Sequence, residues 1–107
     1  MKNEYIVKTE KFEGHENANA RIVYCADGNI LLKSYNTTVL ALTPNNWLYC
    51  SGLYSRTTIK HIGWFMSKFG SHYYVAKAAA LSNMMVNIKT EDMITYDEFE
   101  EKYRNVA

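Results

Sequence analysis

Short β-branched and aromatic runs, broken by polar turn residues, fill the first half of the chain, and a helical period follows. Tyr5-Ile6-Val7-Lys8 reads as a first short strand, and Glu13 to Asn19 as a polar loop. Arg21 to Cys25 is a β-branched and aromatic run, hence a strand. Asp27-Gly28 supplies the positive φ angles of a tight hairpin turn, and Asn29 to Ser34 is the returning strand. Thr37 to Leu42 is another strand, closed by Pro44-Asn45-Asn46, and Trp47 to Cys50 completes a meander. Residues 29–42 suit either two strands or one strand bent at Tyr35-Asn36.

After residue 54 the period becomes helical. Ser55 is an N-cap, because its hydroxyl can accept an otherwise unpaired backbone N–H. Ile59, Ile62, Phe65, Met66 and Phe69 follow at helical spacing, and Gly70 ends the run. Ser71 is placed to cap a second segment through Tyr74, Ala78 and Leu81. Its alanines favour helix, and Tyr73-Tyr74-Val75 suits a strand equally well. Met85 to Ile88 is a further short strand candidate. Thr95-Tyr96-Asp97-Glu98 is a capping box that opens a short acidic helix with the stripe Tyr96, Phe99 and Tyr103. Strands first and helices after predict an α+β fold in a single domain, residues 1–107. We expect an antiparallel meander of four to five strands packed on a helix at about 56–69, with one or two further short helices toward the C-terminus.

Composition adds bounds. The chain has 107 residues, 48% apolar and 21% charged, enough for one core without staples. No run approaches the ~18 apolar residues of a membrane helix. Met1 to Tyr5 lacks the apolar core of a signal peptide, so a cytoplasmic protein without a membrane partner is expected. Cys25 and Cys50 are not in a CxxC pair and read as buried thiols; whether they lie close stays open.

Charge changes the picture more. The net charge is +1, yet residues 28–89 contain no carboxylate and six bases: Lys33, Arg56, Lys60, Lys68, Lys77 and Lys89. Residues 1–27 hold five acids and four bases, and residues 90–107 six acids and two bases. At about 100° per residue, the helix from 56 puts its apolar residues on one arc. Arg56, Lys60, His61 and Lys68 fall opposite, with Trp64 in the middle of the polar arc. A basic face with an embedded aromatic suits nucleic acid, through phosphate contacts and base stacking. It suits a protein partner equally, because Trp and Arg are common interface anchors. Arg56, Lys60, His61, Trp64 and Lys68 are therefore the candidate partner-binding residues. The acidic C-terminal helix offers a bland alternative, since it could neutralise those bases within the molecule.

Catalysis is not expected. The chain has no P-loop, GxGxxG, HExxH or GxSxG, and the carboxylate-free middle lacks the usual acids and bases. Ser55, Thr57, Thr58 and His61 are the nearest constellation, with Thr57 and His61 one turn apart and no third group to orient the imidazole. His15, His61 and His72 have no metal-ligand spacing. No metal and no cofactor is assigned.

Two motifs, S-Y-x-T-x-V at 34–39 and Y-S-x-T-T-x-x-H-I at 54–62, resemble a family of short uncharacterised proteins. Those proteins are encoded by phages, plasmids and other mobile elements of Gram-positive bacteria. The resemblance covers roughly residues 29–69 and assigns no residue a role. It implies a small non-enzymatic accessory protein that binds a host macromolecule. A host protein is the expected partner, and the specific expectation is an inhibitor of a bacterial defence nuclease, of the anti-CRISPR kind. The alternative is a nucleic-acid-binding protein using the basic and aromatic helix face. The oligomeric state stays open, a homodimer included.

Overall fold

The structure, a computed structural model, describes residues 5–103. Residues 1–4, part of the stretch read for a signal, lie outside it, as do residues 104–107. The elements in order are β1 (Ile6–Lys11), β2 (Ala20–Cys25), β3 (Ile30–Ser34), β4 (Thr37–Leu42), β5 (Trp47–Cys50), α1 (Arg56–Lys68), α2 (Tyr73–Ser82), β6 (Met85–Asn87), β7 (Met93–Ile94) and α3 (Tyr96–Tyr103). The seven strands form one antiparallel sheet in sequence order, β1 to β7. The fold is α+β, with α1 and α2 inserted between β5 and β6 and α3 last.

Seven strands exceed the expected four to five. β6 and β7 are three and two residues long, too short to display a period. They join the sheet because α2 returns the chain alongside β5, where Leu48 pairs with Val86. Residues 29–42 are two strands, turned at Tyr35 in the left-handed region (φ 58). The Asp27-Gly28 turn also closes against a neighbouring loop. Gly28 has φ +90, and a Cβ there would lie 2.7 Å from Pro44 Cγ, so both space and conformation require glycine.

Residues 73–82 are helix, which settles the second ambiguity. Its N-cap is His72 rather than the expected Ser71, and no side chain caps it. α1 begins as expected, with the Thr58 backbone N–H donating to Ser55 Oγ at 3.3 Å. The capping box on α3 is reciprocal: Thr95 N–H donates to Glu98 Oε1 at 2.8 Å and Glu98 N–H to Thr95 Oγ1 at 3.0 Å.

Strand alternation gives the sheet two distinct faces. Ala20, Ile22, Leu32, Leu40, Leu48, Cys50 and Val86 form the main core with Ile62, Phe65 and Met66 of α1 and Val75, Ala76 and Ala79 of α2. Positions of opposite parity face away from it. On β5 these are Trp47 and Tyr49, and α3 meets both. Trp47 Nε1 donates to Tyr103 Oη at 2.9 Å, and the Tyr49 and Tyr96 rings lie 5.6 Å apart. The acidic helix therefore docks on the face opposite α1 and does not cover its basic residues. Cys25 and Cys50 are both buried, with β3 and β4 between their strands, too far apart to bridge. Among the described residues, no helix is long and apolar enough to cross a membrane.

Tyr103→Phe removes the acceptor for the Trp47 indole without changing the ring. It should lower stability by about 0.5–1.5 kcal/mol in a urea titration followed by tryptophan fluorescence. An unchanged midpoint would contradict the docking of α3 on β5.

Candidate partner-binding surface on the first helix

α1 does not sit on the sheet in the phase that its apolar residues suggest. Its buried residues are Thr58, His61, Ile62, Phe65 and Met66, while Ile59 and Phe69 are only half-buried. His61, expected on the polar arc, is 2% exposed. The expectation of His61 as a surface contact is corrected, and the reason is hydrogen bonding. Ser34, itself 2% exposed on β3, pairs its hydroxyl with His61 Nδ1 at 2.8 Å and with Thr58 Oγ1 at 3.3 Å. Ser55 Oγ continues the chain by donating to Thr58 Oγ1 at 3.3 Å. A buried polar side chain is tolerated when its groups are paired. No buried side-chain nitrogen or oxygen of the described residues lacks a partner.

Burial pushes the His61 pKa below 6.5, with a smaller contribution from the Lys60 charge. The ring is therefore neutral in the fold at neutral pH. The two motifs of the sequence converge here. Ser34 comes from the first, and Ser55, Thr58 and His61 from the second. The i, i+3, i+4, i+7 pattern of Thr58, His61, Ile62 and Phe65 was the available signal, obscured because two of the four residues are polar.

Turning His61 inward brings Trp64, about 60° away at ~100° per residue, to the flank of the core. Trp64 is half-buried. The His15 ring lies parallel to it, 3.9 Å between centroids at 14°. Phe12 and His61 tilt against it at 5.7 and 5.2 Å, and Lys60 Nζ lies 5.8 Å from its centroid. His15 belongs to the loop between β1 and β2, and no pattern in the sequence tied that loop to α1.

The His15–Trp64 pair stands between two surface clefts. One, about 330 Å³, is bounded by Phe12, Glu13, Gly63, Ser67 and Lys68. The other, about 500 Å³, is bounded by residues 14–18 and Lys60. Gly63 lies on the wall of the first, in mid-helix, where glycine costs about 0.8–1 kcal/mol relative to alanine. A Cβ at Gly63 would meet nothing within 4 Å, so packing within the chain does not explain the glycine.

Lys60, Trp64 and Lys68 do share one side of α1, and Arg56 stands exposed in its first turn. The surface is not purely basic. Lys68 Nζ lies 3.8 Å from Glu10 Oε1, and Lys8 lies 3.3 Å from Glu10 Oε2. The Tyr24 hydroxyl donates to Glu10 at 2.9 Å and, with the two lysines, holds its carboxyl below the usual range. Burial, then Glu10, pushes the Tyr24 pKa up to about 12. Glu16 is likewise lowered by the Gly14 backbone N–H, which donates to it at 3.0 Å. The clefts are thus bordered by charges of both signs. Among the described residues, no group of three or more His, Cys, Asp or Glu is placed to hold a metal ion.

The chain belongs to a family of unknown function, DUF8033, whose sequence model matches residues 3–81. The matched stretch runs from β1 through α2 and contains the polar network and both clefts; β6, β7 and α3 lie beyond it. No curated protein and no solved structure matches the chain.

Two outcomes follow from the network. Ser34→Ala leaves His61 and Thr58 without their shared partner and should cost about 1–3 kcal/mol by chemical denaturation. The pH dependence has a fixed sign. As pH falls below 6.5 the unfolded chain protonates His61 while the fold resists, so the unfolded state binds more protons and stability falls. That loss continues until the folded ring itself titrates. His61→Gln, compared with wild type between pH 7 and 5, should show a shallower decline; identical slopes would contradict a buried neutral imidazole.

Proposed function

We propose that the protein is a non-enzymatic binding protein that grips a protein partner through the outer side of α1 and the loop at 12–18. The observation that carries this reading is the cleft at Gly63, walled by a half-buried tryptophan. A glycine that the chain's own packing does not need leaves room for a partner side chain beside Trp64. Tryptophan at the centre of a contact is a common energetic anchor.

A protein suits the surface better than a nucleic acid does. His15 already occupies one face of the Trp64 ring, so a base would have to displace it to stack there. Glu10, Glu13 and Glu16 stand among Lys60 and Lys68, and such mixed charge suits a partner that also carries both signs. The non-enzymatic reading is supported by the hydroxyl–imidazole pair, because Ser34 is sealed beneath α1 where no substrate reaches it. The resemblance to mobile-element proteins extends the reading to a host protein, and most specifically to a defence nuclease.

Affinity capture from nuclease-treated lysate of a Gram-positive host should yield a stoichiometric protein partner. Trp64→Ala and Gly63→Gln should lose it at least tenfold by titration. Gly63→Ala should raise stability by about 0.8–1 kcal/mol, so lost binding in Gly63→Gln would report a filled cleft rather than a damaged helix. Partner recovery indifferent to both variants would overturn this site. Cleavage of a defence nuclease's substrate in the presence of the protein tests the specific identity.

A further inference from the structure

The cross-strand register brings together three cations that are far apart in sequence. Lys11 on β1 pairs with Arg21 on β2, and Arg21 pairs with Lys33 on β3; the row ends at Thr38 on β4. All three cations have the parity opposite to Ala20, Ile22, Leu32 and Ser34, which face α1. They therefore lie on the other face of the sheet. Lys11 is exposed, and Arg21 and Lys33 are half-buried. Among the described residues, both ion pairs involve Glu10, and none reaches any of these three.

Such a row has a physical cost. Neighbouring strands are about 4.8 Å apart, and like charges directly opposite one another destabilise a sheet. Among the described residues no carboxylate lies within ion-pair distance of the row. A bound polyanion would offset the cost by placing negative charge over the row.

We propose that Lys11, Arg21 and Lys33 form a binding row for the phosphate backbone of a single-stranded nucleic acid. The site is separate from the α1 surface and does not depend on the reading given to it. Three features favour this ligand. The cations lie in a line at one charge per strand, which matches a linear polyanion. Arg21, in the centre, has the planar fork that takes phosphate oxygens in pairs. Finally, the acidic helix α3 occupies the same face over β5, with Asp97, Glu98, Glu100 and Glu101 exposed. Those carboxylates repel a broad anionic surface such as a membrane and confine an anion to the β1–β3 side.

The test is fluorescence anisotropy with a labelled mixed-sequence single-stranded oligonucleotide, titrated at several salt concentrations. Three phosphate contacts predict that log K falls against log salt with a slope of about −2, at ~0.7 per phosphate on single strands. Lys33→Gln and Arg21→Gln should each weaken binding several-fold and reduce the slope by about 0.7. Lys33→Arg should retain it, and Trp64→Ala should leave it unchanged. As a second readout, Lys33→Gln should raise the melting temperature at low salt, with the gain vanishing at high salt as the repulsion is screened. No oligonucleotide binding at low salt would overturn the proposal. So would a slope indifferent to the row variants, or tighter binding of polyglutamate or phosphatidylserine vesicles at the same residues.

Discussion

A neutral imidazole held between the sheet and the first helix fixes how that helix lies. His61 is buried only because Ser34 lies beneath it, its hydroxyl paired with the ring and with Thr58. A buried polar group with one partner missing costs far more than the pair contributes. The arrangement is therefore selective: it admits one rotation of α1 and one position along β3. Rotating α1 to the phase of its apolar residues alone would bring Ile59 inward and leave Ser34 buried without the imidazole. The N-cap at Ser55 belongs to the same chain of hydroxyls, so the start of the helix and its seat on the sheet are set together.

What the helix shows to solvent follows from that seat. With His61 inward, Trp64 comes to the flank, close enough to the core to be gripped by Phe12 and far enough out to be covered by His15. Gly63, Ser67 and Lys60 then occupy the outer side. The candidate surface is thus a consequence of a buried hydrogen bond on the opposite side of the same helix turn. Its second half comes from the loop between β1 and β2, which reaches α1 because Phe12 continues the alternation of β1 into the core.

The sequence carried β2 to β5, the N-cap and extent of α1 and the capping box of α3, because each of these is a local pattern. It did not carry the helix phase, since Thr58 and His61 score as polar whichever way they point. It did not carry β7, whose two residues have no period, nor the capping of α2, where Ser71 was the better cap by chemistry and the chain turns one residue later. The site divided the same way. Lys60, Trp64 and Lys68 were visible at four-residue spacing. His15, Phe12 and Glu10 come from another segment, and only the tertiary fold relates them to α1. The two motifs at 34–39 and 54–62 were conspicuous as text, and their meaning lies in the contact between them.

Charge shows the same limit most clearly. Along the chain, six bases form a carboxylate-free central block and an acidic C-terminal stretch follows it, which invites the thought that α3 masks α1. The parity of β5 prevents it: Leu48 and Cys50 face α1 and α2, so Trp47 and Tyr49, with α3 on them, face the other way. Alternation also builds the second cationic set. Phe12, Ala20 and Ser34 turn inward toward α1, and their sequence neighbours Lys11, Arg21 and Lys33 turn outward in register. One end of three strands therefore supports the seat of the helix on one face and, on the other, a row of cations with no ion pair among the described residues. Two of those cations lie outside the carboxylate-free block, so no count along the chain would have joined them to Lys33; hydrogen-bonded register does.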